Sequence, residues 1–197
     1  GSASISGENN KYKLFGHDGL LGSQIPIAAG FTYASQEFTV CILGDGASEE
    51  DYCFGALSYL SNKKCPILFI CEDNNLSILT KKSERREWNI TKIAENFGID
   101  SWNLDDIDGI ETLIYYFDLG IKQIINNKPT LLNINYLRYF WHVGSRKDGL
   151  PQYDYLDDLK QELNKIHPID RLNSIKIEEQ QKIHDIWDIQ LQRLLNY

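Results

Sequence analysis

Residues 38–75 read FTVCILGDGASEEDYCFGALSYLSNKKCPILFICEDNN, and the fold is decided here. The run Phe38-Thr39-Val40-Cys41-Ile42-Leu43 is short, apolar and rich in β-branched side chains, and it stops at the glycine turn Gly44-Asp45-Gly46. That is the pattern of a buried strand. From about Glu49 to Leu60 the chain places Phe54, Leu57 and Leu60 on one helical face. Pro66-Ile67-Leu68-Phe69-Ile70-Cys71 then gives a second continuous apolar strand. The order predicts a β-α-β unit with its crossover. Asp45 falls at the C-terminal end of the first strand, and Asn74-Asn75, 27 intervening residues after Gly46, at the end of the second. Ligands of open parallel sheets bind outside the carboxyl ends of the strands, so Asp45 and Asn74 are expected to face one crevice.

Their chemistry suits a hard cation. One carboxylate, one amide oxygen and a backbone carbonyl form an oxygen donor set of the kind Mg2+ takes at roughly 2.0–2.1 Å, completed by phosphate oxygens and water. The amides of Gly46 and Ala47, entering the helix, are expected to face a diphosphate. A chain with 20 basic and 28 acidic side chains, net charge −8, would otherwise repel such an anion. Gly-Asp-Gly alone is a common turn; the asparagine on the next strand is what makes it specific.

Gly44-Asp45-Gly46 with Asn74 resembles the thiamine diphosphate fingerprint, and its surroundings resemble the alpha subunit of the decarboxylating component of 2-oxo-acid dehydrogenases, over most of the chain. Gly19-Leu20-Leu21-Gly22-Ser23-Gln24-Ile25-Pro26-Ile27-Ala28-Ala29-Gly30 resembles the segment whose backbone contacts the aminopyrimidine, a role this resemblance gives to Gly19 and Leu21. Glu72-Asp73-Asn74-Asn75-Leu76-Ser77-Ile78 follows the family pattern in which an asparagine side chain and the carbonyl two residues later bind metal. The implied ligands are therefore Asp45, Asn74 and Leu76, and the implied wedge holding the cofactor bent is Ile78. Arg138-Tyr139-Phe140-Trp141-His142 resembles the family's arginine with a histidine four residues later. His142 thereby inherits a place beside the diphosphate or the reacting substrate; read from its neighbours alone, it is part of an aromatic lid or partner contact. His142-Val143-Gly144 resembles members associated with sugar and surface-polysaccharide pathways, and Ile166-His167-Pro168-Ile169-Asp170-Arg171-Leu172 resembles the family's C-terminal region.

Two departures accompany the resemblance. The family's histidine before the glycine matching Gly19 is replaced by Asp18, with His17 one residue earlier. The family's long N-terminal portion, with further diphosphate contacts, has no counterpart ahead of residue 19, which implies that it is absent, supplied in trans or cut away. Gly1-Ser2-Ala3 has the look of an expression scar.

The resemblance implies an α/β three-layer sandwich with a mostly parallel sheet: a flexible start at 1–12, the cofactor-binding domain at 13–150, and a C-terminal helical appendage of the same domain at 151–197. It implies a Mg2+ and thiamine diphosphate module of an enzyme acting on a small 2-oxo acid or related carbonyl donor, by decarboxylation or carbon–carbon cleavage or formation. A pyrimidine-binding module or beta-type subunit would complete the site in a homo- or hetero-oligomer, and the chain alone would be inactive. The alternative is a cofactor-free scaffold or regulatory subunit that keeps the fold.

Composition bounds the rest. At 197 residues and 42% hydrophobic content the chain can bury one substantial core. It contains no apolar run near the roughly 20 residues that cross a bilayer and no secretory leader, so a soluble cytoplasmic protein is expected. The acidic balance argues against nucleic acid, which rewards clustered Lys and Arg. Cys41, Cys53, Cys65 and Cys71 lack CxxC spacing and are expected as buried reduced thiols. Lys81, Lys82, Arg85 and Arg86 are expected on a solvated face, or else in a docking patch. Glu49, Glu50 and Asp51 suit a helix N-terminus and are expected to carry no chemistry. Ile93, Ala94 and Phe97 mark another helix, Asp108-Gly109 precedes one running to about Ile125, and Lys128-Pro129 introduces the last strand. Ile183, Ile186, Trp187 and Leu194 form an apolar stripe on a terminal helix. The sequence holds no GxGxxG, GxxxxGK[ST] or GxSxG motif, which removes the commonest dinucleotide, phosphate-loop and nucleophile-elbow classes.

Overall fold

The computed structural model of the chain describes residues 7–8, 13–16, 19–105, 109–138, 142, 165 and 169–195. It divides into two compact units, residues 1–150 and 151–197. In the first, a short antiparallel pair, β1 (Gly7–Glu8) and β2 (Lys13–Leu14), precedes helix α1 (Gln24–Ser35) and strand β3 (Thr39–Gly44). A 3₁₀ turn at Ala47–Glu49 leads into α2 (Asp51–Lys63), and β4 follows at Ile67–Asp73. A small hairpin, β5 (Leu76–Ser77) and β6 (Thr80–Lys81), runs into α3 (Lys82–Arg85) and α4 (Ile90–Asn96). The unit closes with β7 (Asp100–Asp105), α5 (Gly109–Ile125) and β8 (Thr130–Asn135).

The four main strands lie in the order β3-β4-β8-β7, and every pair is parallel. Gly44 is in register with Glu72, and Asn135 with both Asp73 and Asp105, so all four carboxyl ends reach the same edge. Alternation along the strands sorts the apolar side chains onto two faces. Cys41, Leu43, Phe69, Cys71 and Leu131 pack against the buried faces of α1, α2 and α4, through Ile25, Leu57, Leu60 and Ala94 among others. Leu68, Ile70 and Leu132 pack on the other side against Ile124 of α5, with Tyr116 and Phe117 at the margin. Gly120 brings α5 close: a Cβ there would lie 3.1 Å from Leu68 Cδ1. Helices on both faces of a parallel sheet make the three layers that the resemblance implies.

The edge strand departs from expectation. Among the described residues β3 is buried on one face only, and Val40 and Ile42 are 55% and 54% exposed on the other. The reason is the placement of α5, which covers β4 and β8 and does not extend over β3. Helix α2 also begins later than its apolar pattern predicts. Glu50 keeps extended dihedrals, φ −69° and ψ 140°, between the 3₁₀ turn and Asp51. Gly46 and Ala47 therefore open a 3₁₀ turn and not the helix itself, and Asp51 is the acid in the first turn of α2.

The second unit contains helix α6 (Ile169–Leu195). Ile183, Ile186 and Trp187 are exposed along it, while the side chain of Leu194 lies outside the described residues. No described helix is long and apolar enough to cross a membrane.

All four cysteines are buried and free, as their spacing predicts. Burial raises the thiols of Cys41 and Cys53 from 9.0 to about 12, and it pushes Cys65 and Cys71 upward as well. The thiolate is the reactive form, so a disulfide reagent at pH 8 should release essentially no thiol from the native chain while the urea-unfolded chain reacts fully. Because the folded values lie above the unfolded one, the stability contributed by the neutral thiols is complete below pH 9 and is lost as the pH rises from 9 to about 12. A fast-reacting thiol in the native chain at pH 8 would contradict this packing.

Candidate functional site

Three segments meet at the carboxyl edge of the sheet. After β3 the chain turns through Asp45 and Gly46, and a Cβ on Gly46 would lie 2.7 Å from Ser77 Oγ and 3.1 Å from Ser77 Cβ. Only glycine lets this turn lie against the β5 hairpin. The turn before α1 seats on the same spot: Gly22 has φ +80°, and a Cβ there would lie 3.0 Å from the Ala47 carbonyl oxygen. The Tyr52 hydroxyl, from α2, donates to the Leu21 carbonyl. Gly19 and Leu21, Gly44 to Ala47, and Asn74 to Ile78 are thus neighbouring loops, although they are far apart in sequence.

Hydrogen bonds fix the direction of the hairpin's oxygens. Leu76 N–H donates to Asn74 Oδ1 at 3.1 Å, and Asn74 Nδ2 donates to the Tyr136 hydroxyl at 3.2 Å, which orients the amide. Lys82 N–H donates to the Asn75 carbonyl at 2.9 Å. Hydrogen-bonded and non-bonded pairs alternate in an antiparallel ladder, so the Leu76–Lys81 pair is a non-bonded one. The Leu76 carbonyl therefore points away from β6, to the side where its own N–H meets Asn74. A carboxylate in the turn after β3, an amide oxygen and a carbonyl directed away from β6 make a set suited to a small hard cation. Among the described residues no three His, Cys, Asp or Glu side chains form a metal cluster, so softer transition-metal chemistry has no comparable donor set there. The donors present fit a magnesium-bound diphosphate.

Ile78, at the hairpin tip, has φ 54° and is 56% exposed. A β-branched residue in the left-handed region is strained by about 1–3 kcal/mol. Arg138 Nη2 donates to its carbonyl at 2.8 Å and ties the tip to the end of β8. His142 is exposed; residues 139–141, like His17 and Asp18, lie outside the described residues.

Charge at this edge is arranged differently from what the sequence predicts. Asp45 is 1% exposed, and its Oδ2 is bound by Arg85. Arg85 also bonds Glu49, whose Oε1 lies 3.0 Å from Arg86 Nε. Asp73, buried at the end of β4, is bound by Lys82. Lys82, Arg85 and Arg86 are therefore no solvated face: the side chains of Arg85 and Arg86 are 13% and 2% exposed, and Arg86 stacks on Trp88 with 4.0 Å to the ring centroid. Glu49, expected to carry no chemistry, bridges both arginines. A cleft of about 460 Å³ is lined among others by Asp73, Asn75, Lys82, Arg86 and Trp88; Asp45, Asn74 and Leu76 are not among its walls. Arg85, Glu49, Ser77 and Tyr136 are the residues that sequence reasoning missed. The clustering of Lys82, Arg85 and Arg86 in sequence was a signal of acidic partners, but it could not say which acids they meet.

A parallel α/β unit whose loops gather a carboxylate, an amide and a glycine turn at one strand edge belongs to the class that holds anionic ligands at its carboxyl ends. The model of the family described as "Dehydrogenase E1 component" matches residues 1–181, and the chain belongs to that family. It is 28% identical over 174 residues to the mitochondrial 2-oxoisovalerate dehydrogenase subunit alpha of Mus musculus, covering 82% of this chain and 39% of that protein. It is 31% identical over 144 residues to the pyruvate dehydrogenase E1 component subunit alpha of Rickettsia typhi, covering 68% of this chain and 43% of that protein. The chain thus spans about two-fifths of the length of these relatives. A transketolase variant from Pichia stipitis shares the fold, with a TM-score of 0.53 and 22% identity over 60% of this chain and 20% of that one.

Gly46→Ala should cost about 1–3 kcal/mol through overpacking against Ser77. Adding Ser77→Gly should restore most of that loss in urea denaturation. Additive losses in the double variant would mean that the two loops do not press on each other.

Proposed function

We propose that this chain forms the diphosphate- and magnesium-binding half of a thiamine diphosphate-dependent site acting on a 2-oxo acid or a related small carbonyl donor. The observation that supports this is the close approach of Gly46 to Ser77, which brings the turn carrying Asp45 against the hairpin carrying Leu76 and Ile78, in a chain of the dehydrogenase E1 family. Asp45, Asn74 and the Leu76 carbonyl would hold Mg2+, and the amides of Gly46 and Ala47, behind Gly44, would face the diphosphate. Gly19 and Leu21 would offer backbone to the aminopyrimidine, on the turn that Tyr52 anchors. Ile78 would press the cofactor into its bent form, its strained backbone held by Arg138. His142 would act beside the diphosphate or the substrate, following Arg138 at the end of β8.

The cofactor, when bound, supplies the electron sink that decarboxylation or carbon–carbon cleavage needs. This chain binds and orients it, while a pyrimidine-binding module or beta-type subunit completes the site in an oligomer. The relatives' designation as alpha subunits supports that division of labour. Their names point to 2-oxoisovalerate or pyruvate as the type of donor, so short-chain 2-oxo acids are the first substrates to test.

The alternative is a cofactor-free scaffold, in which the Asp45 carboxylate would stay bound by Arg85. Calorimetric titration of the chain with thiamine diphosphate and Mg2+ separates the two. Saturable, magnesium-dependent binding that disappears in Asp45→Ala is the expected result, with no turnover of 2-oxo acid by the chain alone. Absence of binding to a folded chain would leave the scaffold.

A further inference from the structure

We infer that Arg85 is a resident counter-cation that competes with the metal for Asp45, so that loading the site requires Arg85 to let go. This rests on Asp45 being the metal ligand proposed above and adds what regulates access to it. Asp45 is almost fully buried, and a buried carboxylate without a positive partner is costly. Arg85 supplies that partner through a charge-assisted hydrogen bond to Oδ2. A divalent ion at bonding distance from the same carboxylate would sit against the guanidinium, and like charges at that separation repel strongly in a poorly hydrated site. With Arg85 bonded to Oδ2, the two cations therefore weaken each other's hold on Asp45.

The structure also provides for the release. Arg85 Nη1 is bound to Glu49, so the guanidinium keeps an acidic partner when it leaves Asp45. Arg85 Nε is buried without a hydrogen bond among the described residues, which marks the clamp as incompletely satisfied where it is. Arg85 ends the four-residue helix α3, whose other end is held by Lys82 on Asp73. A movement of the Arg85 end of α3 thus changes Asp45, with Lys82 on Asp73 as the fixed end. The apparent metal affinity is lowered by the fraction of molecules in which Arg85 occupies the carboxylate.

Mn2+ alone, followed by the electron paramagnetic resonance signal of the free ion, tests this without any turnover. Arg85→Gln should bind Mn2+ about tenfold or more tightly than the natural chain, given the strength of a charge-assisted hydrogen bond. Arg85→Lys, which keeps the charge, should stay close to the natural chain, and Asp45→Asn should remove the gain in an Arg85→Gln background. Equal affinity of Arg85→Gln and the natural chain would overturn the competition while leaving the metal site intact. A folded Arg85→Gln chain that binds no metal, even with thiamine diphosphate added, would instead overturn the proposed site itself. Hydrogen exchange of the natural chain gives an answer that does not depend on the variant folding. The Arg86 amide, bonded to Lys82 at 2.9 Å, should exchange faster when Mn2+ and thiamine diphosphate are present. Unchanged or slower exchange in a loaded chain would refute the release.

Discussion

Two carboxylates buried at the ends of adjacent parallel strands constrain everything around them. Asp45 and Asp73 are 1% and 3% exposed, where an unpaired charge would cost several kcal/mol. Their neutralisation by Arg85 and Lys82 folds the segment after the hairpin back over the carboxyl edge. Trp88, packed on Phe54 and the core, and Arg86, paired with Glu49, hold the far end of the same segment and wall a cleft there. The Lys82–Asp73 pair that stabilises the edge also lines that cleft.

Close approach of backbone does the rest of the assembly. Gly46 and Gly22 let two turns press on Ser77 and on the Ala47 carbonyl, where a single Cβ would intrude. Hydrogen bonds then fix the direction of what is exposed: Tyr136 and the Leu76 amide orient Asn74, and Arg138 holds the strained tip at Ile78. Strain of this sort persists only where neighbours over-determine it. Here the restraint comes from the end of β8, so the last strand of the sheet positions the hairpin that follows β4.

The layers explain why the elements were legible and one face was not. Apolar continuity along β4 and β8 reflects cover on both sides, by α1, α2 and α4 on one and α5 on the other. Strand β3 carries an equally apolar pattern, yet Val40 and Ile42 stay exposed because α5 lies over its neighbours. Periodicity reports what a strand is prepared to bury, whereas coverage depends on where a helix distant in sequence comes to rest. The late start of α2 has a similar origin, since Ala47–Glu49 is drawn into a 3₁₀ turn by its contacts with Gly22 and the arginines.

The sequence by itself determined the parallel α/β order, the glycine turn after β3, the asparagine after β4 and the burial of the four cysteines. Each of these follows from local pattern: run length, β-branching, the steric freedom of glycine and the absence of metal spacing. The tertiary structure alone decided which cation meets which acid and which loops touch. Arg85 lies 40 residues from Asp45 and 36 from Glu49, and Tyr136 lies 62 from Asn74. No local preference encodes pairings at such separations, because they arise from the strand register that brings all four carboxyl ends to one edge.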